Sequence, residues 1–152
     1  MKKLSKIRYK DLYIFSFLMM VYGLSLDSPT NIYQGLLKIV SSPSILISDY
    51  MQIGGIGASF INAGFMLFIS LVFAEKSGAA LTGALIAGMF ALTGFSFFGK
   101  NLINSLPLMI GVYLYTKLKK LSISNFMHVM FFVTGISPLV SLLIFGLGFS
   151  II

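Results

Sequence analysis

Long apolar runs, separated by short polar stretches, constrain this chain more than any other feature of its sequence. The runs are near the ~20 residues that a helix needs to cross a bilayer core of about 30 Å, and they lack the alternating pattern of membrane-barrel strands. Only 10% of the residues are charged, whereas roughly a quarter are charged in an ordinary soluble domain. The sequence therefore predicts an all-α membrane protein, with one integral-membrane domain covering residues 1–152.

We predict about five transmembrane helices, at residues 12–26, 53–74, 79–98, 102–116 and 125–152. The first follows a basic segment and also fits the pattern of a signal peptide. The residues after it, DSPTN, contain no clear small-x-small cleavage site, so we interpret it as an uncleaved anchor. The fifth is longer than a bilayer core requires, and a strong tilt or a break is expected at GISP, residues 135–138.

Residues 28–52 differ from the predicted spans. The pairs Ser28-Pro29 and Ser42-Pro43 are each typical of a helix start, with serine as the N-cap and proline in the first helical position. The segments that follow are too short to cross a bilayer. We therefore predict two short amphipathic helices, which are either interfacial or re-entrant.

The basic residues predict the orientation. If the N-terminus is cytoplasmic, the five spans leave only Lys38 and Lys100 outside. Nine basic residues then lie inside: Lys2, Lys3, Lys6, Arg8, Lys10, Lys76, Lys117, Lys119 and Lys120. This distribution follows the positive-inside rule. It also indicates that the net charge of +7 serves contact with anionic lipid and not with nucleic acid. We predict a cell-membrane protein with the N-terminus cytoplasmic, the C-terminus outside and the lipid bilayer as its partner.

The rarity of chemically active side chains argues against catalysis. The chain has no cysteine, one histidine (His128) and four acidic residues. It therefore lacks thiolate sites, and a zinc site is disfavoured. No nucleophile with a base and no pair of carboxylates can be assembled from this set. We predict that the chain is not an enzyme and has no catalytic, cofactor-binding or metal-binding residues.

Four polar residues form the candidate solute site: Asn62, Lys100, Asn101 and Asn104. The last three fall in GFSFFGKNLINSLP, residues 94–107, and a helix starting at Lys100 would place them on one face. This stretch is either an ordinary exposed turn capped by Asn101, or a segment that dips into the protein, where Lys100 attracts an anion. Asn62 lies near the middle of the second predicted span, so its amide must bond either another helix or a ligand.

Small residues are the other recurrent feature. In the third predicted span they recur at helical spacing, at Ala80, Ala84, Ala87, Gly88 and Ala91, which favours close packing of helices. IGGIGASFINAG, residues 53–64, fails the dinucleotide-binding pattern because a third glycine and a preceding strand are missing. Its glycines indicate either an unwound start of the second span or a tightly packed face.

Two long stretches, LDSPTNIYQGLLKIVSSPSILISDYMQIGGIGASFINAG and GFSFFGKNLINSLPLMIGVYLY, resemble a family of uncharacterised bacterial, mainly Firmicute, multi-pass membrane proteins. The family is catalogued as domain of unknown function 1576. The resemblance covers residues 26–141 and implies an integral membrane protein without implying an activity. Because members of the family are considerably longer, it also implies that this chain is only the N-terminal part, whose partner is a missing C-terminal half.

Two functions remain open from the sequence. The first is a permease-like protein for a small solute, with the four polar residues facing that solute. The second is a structural or assembly subunit of a membrane complex, packed against a membrane-protein partner through small-residue helix faces.

Overall fold

The computed structural model describes residues 8–45 and 48–146, and in them the chain is helical. Eight α-helices follow in order: α1 Tyr9–Leu26, α2 Pro29–Ser41, α3 Tyr50–Gly54, α4 Ile56–Lys76, α5 Gly83–Phe95, α6 Leu102–Leu118, α7 Met127–Val133 and α8 Ser137–Ser141. Short 3₁₀ turns, Ile123–Phe126 and Thr134–Ile136, lie on either side of α7, and a π-helical turn, Leu142–Gly146, follows α8. The all-α prediction is confirmed for the described residues.

Two segments are long and apolar enough to cross a membrane, α4 and the interrupted helix Ile123–Gly146. A third is present if α1 and α2, which meet at a bend of 115°, are counted as one broken span. Helices α5 and α6 are apolar but shorter. These two to three candidate spans, together with the shorter apolar helices, indicate a membrane location.

Helices α1 and α4 run antiparallel and approach each other closely. A Cβ atom on Gly23 would lie 2.6 Å from the carbonyl oxygen of Gly57, and one on Gly57 would lie 2.7 Å from that of Gly23. Seven residues before Gly23 in α1, the Ser16 hydroxyl donates a hydrogen bond to the backbone carbonyl of Gly64 (2.9 Å). Since only glycine permits such backbone contact, the tightly packed face expected from the glycine-rich stretch is present. The unwound start is present too, because Gly55 (φ +88°) separates α3 from α4.

One end of the helix bundle collects most of the basic residues. The Tyr9 hydroxyl donates to the carbonyl of Ala79 (2.7 Å), and the Tyr13 hydroxyl donates to Glu75 Oε2 (2.8 Å). The start of α1 therefore lies beside the connection from α4 to α5, and the end of α6 borders the same region. We call this the basic end. Its described basic residues are Arg8, Lys10, Lys76, Lys117, Lys119 and Lys120.

The segment between α1 and α4 differs in part from the prediction. Ser28 caps α2 as expected, accepting a hydrogen bond from the N–H of Asn31 (3.3 Å). The second Ser-Pro pair does not start a helix: Ser42 is the C-cap of α2, and residues 43–45 are not helical. The next helix, α3, instead begins after Asp49, whose carboxylate accepts bonds from two N–H groups of the first turn.

The fifth predicted span is interrupted in the structure. Its α-helical part breaks at Thr134–Ile136, which is 3₁₀-helical, and resumes at Ser137. Pro138 lies in the first turn of α8 and has no N–H to donate to the preceding turn, so the regular helical bonding is interrupted before it. A break was expected at residues 135–138, and the structure has it within one residue of that position. Residues 147–152 of the predicted span lie outside the described residues.

Candidate functional site

The connection between α5 and α6 lies inside the protein. Helix α5 has 13 residues, which gives it a length of about 20 Å. It ends at Phe95 rather than at residue 98, and the connection stops at the level of Asn62 in α4. Helix α3 covers the connection from the other side, with the N–H of Tyr50 donating to the carbonyl of Phe97 (3.0 Å). The connection thus turns into the protein, where Lys100 is only 4% exposed. The cap by Asn101, expected for the other alternative, is also present, and attraction of an anion by Lys100 stays a prediction.

Asn62 holds this connection in place. Its amide nitrogen donates to the carbonyl oxygens of Ser96 (2.7 Å) and Lys100 (3.0 Å), and the residue is buried. The two carbonyls lie at opposite ends of the connection, at the C-cap of α5 and directly before the N-cap of α6, where backbone groups have left the regular helical pattern. The amide therefore bonds another part of the protein, one of the two roles that its position predicted.

Asn101 and Asn104 form a reciprocal cap at the start of α6. The side-chain oxygen of Asn101 accepts from the N–H of Asn104 (3.2 Å), and the side-chain oxygen of Asn104 accepts from the N–H of Asn101 (3.0 Å). Their amide nitrogens donate hydrogen bonds to groups outside this cap. That of Asn101 donates to the Tyr50 hydroxyl (2.8 Å), and that of Asn104 to the Gly99 carbonyl (2.8 Å) and the Ser141 hydroxyl (3.1 Å).

Lys100 does not share a helix face with the two asparagines, so this part of the prediction is wrong. Asn101 is the N-cap of α6 and has extended backbone angles (φ −139°, ψ 178°). The helix therefore starts after Lys100, whose side chain takes a separate direction. Lys100 Nζ donates to the Thr134 hydroxyl (2.9 Å) and lies 4.9 Å from the centre of the Phe95 ring.

The charge of Lys100 has no acidic partner among residues 8–45 and 48–146, in which the one ion pair joins Arg8 to Asp11. Lys100 belongs to the connection and not to a candidate spanning helix. Burial lowers the pKa of its ammonium group from 10.5 to about 8. Thr134, which receives the bond from Lys100, lies in the 3₁₀ break of the last helix and donates to the carbonyl of Phe131 (2.6 Å).

These contacts define a polar core where interrupted helices meet. It joins the end of α5, the cap of α6, the break between α7 and α8, and the pair α2–α3. Its members are Tyr50, Asn62, Ser96, Lys100, Asn101, Asn104, Thr134 and Ser141, all of them buried. The four sequence-predicted residues thus lie in one cluster, but their side chains do not converge on one point.

Four members of the polar core were missed by the sequence reasoning: Tyr50, Ser96, Thr134 and Ser141. Ser96 lies within GFSFFGKNLINSLP, the stretch that had been singled out, but was not named as a candidate. Thr134 directly precedes the expected break at GISP, and a broken helix frees backbone groups that attract polar side chains, so its position carried a signal. Tyr50 and Ser141 carried none. Their role depends on tertiary contacts, 51 and 37 residues away along the chain respectively.

Comparison with known families places this architecture. Residues 28–152 match the model of a family described as protein of unknown function (DUF1576). The chain belongs to this family. No curated protein and no solved structure matches it. The expected resemblance is therefore confirmed, and the matched region extends to residue 152.

The DUF1576 region contains the whole polar core, whereas α1 precedes it. The core and the helices that supply it therefore belong to the family region. Helix α1 packs on that region through Ser16 and Gly23.

Small residues of α5 lie on two different faces of this DUF1576 chain. Gly88 faces α7, where an added Cβ would lie 3.3 Å from Phe131 Cβ. Two alanines of the same helix, Ala84 and Ala87, are exposed, whereas Ala80 precedes the helix and is not part of it. We call Ala84 and Ala87 the α5 small-residue face. His128 is half-buried in α7, and no group of three His, Cys, Asp or Glu able to hold a metal occurs in the described part of the chain.

Proposed function

We propose that this chain is a permease-like membrane protein that binds a small anionic solute at Lys100. The observation that carries the proposal is a buried, unneutralised lysine located where interrupted helices meet. Ionisable side chains are costly inside a membrane protein and mark functional positions when they occur. Discontinuous helices whose ends meet inside the membrane form the solute sites of many secondary transporters. The likeness to transporters is one of architecture.

The geometry suggests a division of roles within the polar core. The amide nitrogens of Asn62, Asn101 and Asn104 are all bonded to groups of the protein. A lysine ammonium has three N–H donors, and one bond, to Thr134, is present. We therefore assign contact with the solute to Lys100 and Thr134. The three asparagines position the connection that carries Lys100.

We propose the orientation with the basic end in the cytoplasm, following the positive-inside rule. Helices α1, α4 and the interrupted last helix then cross the membrane, and α5 with α6 forms a hairpin that enters from the cytoplasmic side. If α5 and α6 also count as spans, the total becomes five, and the N-terminus still lies inside and the C-terminal end outside. The polar core then lies nearer the outer side, beneath α2 and α3.

We further propose that the chain is not an enzyme. The polar core supplies one amine, amides and hydroxyls, and no carboxylate or imidazole bonds to it in the described residues. General acid–base chemistry needs such a group within hydrogen-bond reach of the substrate. The bilayer is the partner, and a C-terminal half of the family architecture is a further proposed partner.

The test uses purified protein in detergent and a panel of anions: phosphate, sulfate, acetate and citrate. An anion that binds the folded state at 100 times its Kd stabilises it by about 2.7 kcal/mol, which is measurable as a higher unfolding temperature. We expect at least one anion to stabilise the wild type and to lose its effect in Lys100→Met. The control is Lys38→Met, which removes an exposed lysine and should leave the effect intact. Stabilisation that survives in Lys100→Met, or none with any anion, would refute the proposal.

A second candidate function, a structural or assembly subunit, is favoured by the α5 small-residue face. Ala84 and Ala87 are exposed three residues apart on α5, and Gly83 beside them has no atom within 4 Å of an added Cβ. Small residues at such spacing let a second helix approach closely in lipid. The proposed partner is a membrane helix of another protein.

Two neighbouring substitutions separate partner contact from internal packing. Ala87→Leu changes the exposed face, so it should reduce co-purification of a partner while the unfolding temperature stays unchanged. Gly88→Leu changes the face packed on α7, so its main effect should be a lower unfolding temperature. If Ala87→Leu leaves every co-purifying protein in place, the assembly function is wrong.

A further inference from the structure

An apolar pocket lies at the basic end and is lined by no member of the polar core. It has a volume of about 380 Å³ and lies between α4, α6 and α7. Its walls are mostly apolar and include Leu106, Met109, Ile110 and Met130. A volume of this size falls within the range of sites that bind small molecules, roughly 300–1,000 Å³.

The mouth of the pocket is basic. Lys76 and Ser77, at the end of α4, line it together with Tyr113. Lys117 Nζ lies 5.5 Å from the centre of the Tyr113 ring, so a second cation lies beside a residue that lines the pocket. Among the described residues that line the pocket, none is acidic. Glu75, the neighbour of Lys76, is instead bonded to Tyr13 of α1.

We propose that this pocket binds an anionic phospholipid of the cytoplasmic leaflet, with one acyl chain between α4, α6 and α7 and the phosphate near Lys76 and Lys117. The inference rests on the orientation proposed above and not on the solute site. Its chemistry follows from the juxtaposition of an apolar wall with two cations that have no acidic partner in the described chain.

The charge arrangement favours a lipid over a helix from another protein. A packed helix would leave Lys76 and Lys117 without an anionic partner in the interfacial region, whereas a phosphodiester supplies one. The wall is also open toward the bilayer, because Ile110 and Tyr113 are each more than two-fifths exposed. Basic sites between membrane helices on the cytoplasmic side are typical positions for anionic headgroups.

The first test measures lipid retention by native mass spectrometry after addition of dioleoyl-phosphatidylglycerol or dioleoyl-phosphatidylcholine. We expect one phosphatidylglycerol per chain to be retained in preference to phosphatidylcholine. Lys76→Gln should lower the apparent affinity about fivefold, since one basic residue near an anionic headgroup is worth about 1 kcal/mol. Lys119→Gln, which removes a basic residue of the same end that does not line the pocket, should have little effect.

Further arms identify the occupant. Ile110→Trp places a bulky side chain at the open wall and should abolish retention while the unfolding temperature stays near that of the wild type. Oleate and inorganic phosphate, supplied separately, should each bind more weakly than the intact phospholipid. A photo-crosslinking side chain at position 110 should capture lipid in cells.

Three outcomes would overturn the proposal: equal retention of the two phospholipids, unchanged retention in Lys76→Gln, and capture of a second copy or another protein at position 110. Since Lys100 is not involved in this pocket, anion binding by Lys100 and lipid binding by Lys76 can fail independently.

Discussion

Replacing Lys100 by methionine tests whether its buried charge is unneutralised. The two pKa values of Lys100, 10.5 when exposed and about 8 in the fold, differ by about 2.5, which corresponds to a cost of about 3 kcal/mol for burying the charged amine. The folded state binds the proton less readily than the unfolded state does. The cost is therefore fully present below pH 8 and is lost as the pH rises through the unfolded value of 10.5.

The expected magnitude follows from the same two values. Between pH 7 and pH 9.5 the wild type should gain about 2 kcal/mol of stability from Lys100 alone. For a chain of this size such a gain raises the midpoint of thermal unfolding by about 4 to 8 °C. Lys100→Met keeps most of the length of the side chain but carries no charge, so this contribution should be absent. At pH 7 the variant should be the more stable of the two, although it loses the bond to Thr134.

The assay compares the unfolding temperatures of the two proteins in one detergent across this pH range. Their difference isolates Lys100, because all other titrating groups are shared. Parallel curves would refute the reasoning, and so would a variant that is destabilised at pH 7. Parallel curves would mean that burial does not lower the pKa of Lys100. A destabilised variant would mean that the contacts of the lysine, including the bond to Thr134, outweigh the cost of burying its charge. Anion binding at Lys100 should show the opposite trend, weakening as the pH rises through 8.

Three other substitutions test the packing of the site and the bundle, each measured as a change in unfolding temperature. Asn62→Leu leaves two buried carbonyls without a donor and should cost about 2–4 kcal/mol; an unchanged midpoint would show that water replaces the amide. Tyr50→Phe removes the hydroxyl that accepts from the amide of Asn101 and should cost about 1–2 kcal/mol, and a stabilised variant would argue against a structural role for that bond. Gly57→Ala forces α1 and α4 apart and should lower the unfolding midpoint. The control is Gly111→Ala, where a Cβ has open space; it should raise stability by about 0.5–1 kcal/mol. Equal effects of the two substitutions would show that α1 and α4 adjust freely.

Features that depend on local sequence could be predicted. The apolar runs gave the helical membrane class, Ser28 marked the start of α2, and the GISP stretch marked the break in the last helix. Each of these depends on residues within one or two turns of each other. The family resemblance added membership but no activity.

Features that depend on distant contacts could not be predicted. The direction of the Lys100 side chain depends on its contact with Thr134, which lies 34 residues further along the chain. The position at which α5 ends depends on its contact with α3, because the backbone carbonyl of Phe97 accepts a hydrogen bond from the N–H of Tyr50. The second Ser-Pro pair is a valid local signal that did not start a helix, since Asp49 supplies the cap instead.

The inward connection between α5 and α6 has a consequence for biosynthesis. The chain is synthesised from its N-terminus. Tyr50 and Asn62, whose partners lie in residues 96–101, are therefore made before the connection between α5 and α6. The partner of the Lys100 ammonium, Thr134, is made 34 residues later. Until then the amine has to remain in contact with water or lipid headgroups. Folding of the hairpin is thus completed by the last helix, because the break in that helix supplies the Thr134 hydroxyl that accepts the bond from Lys100.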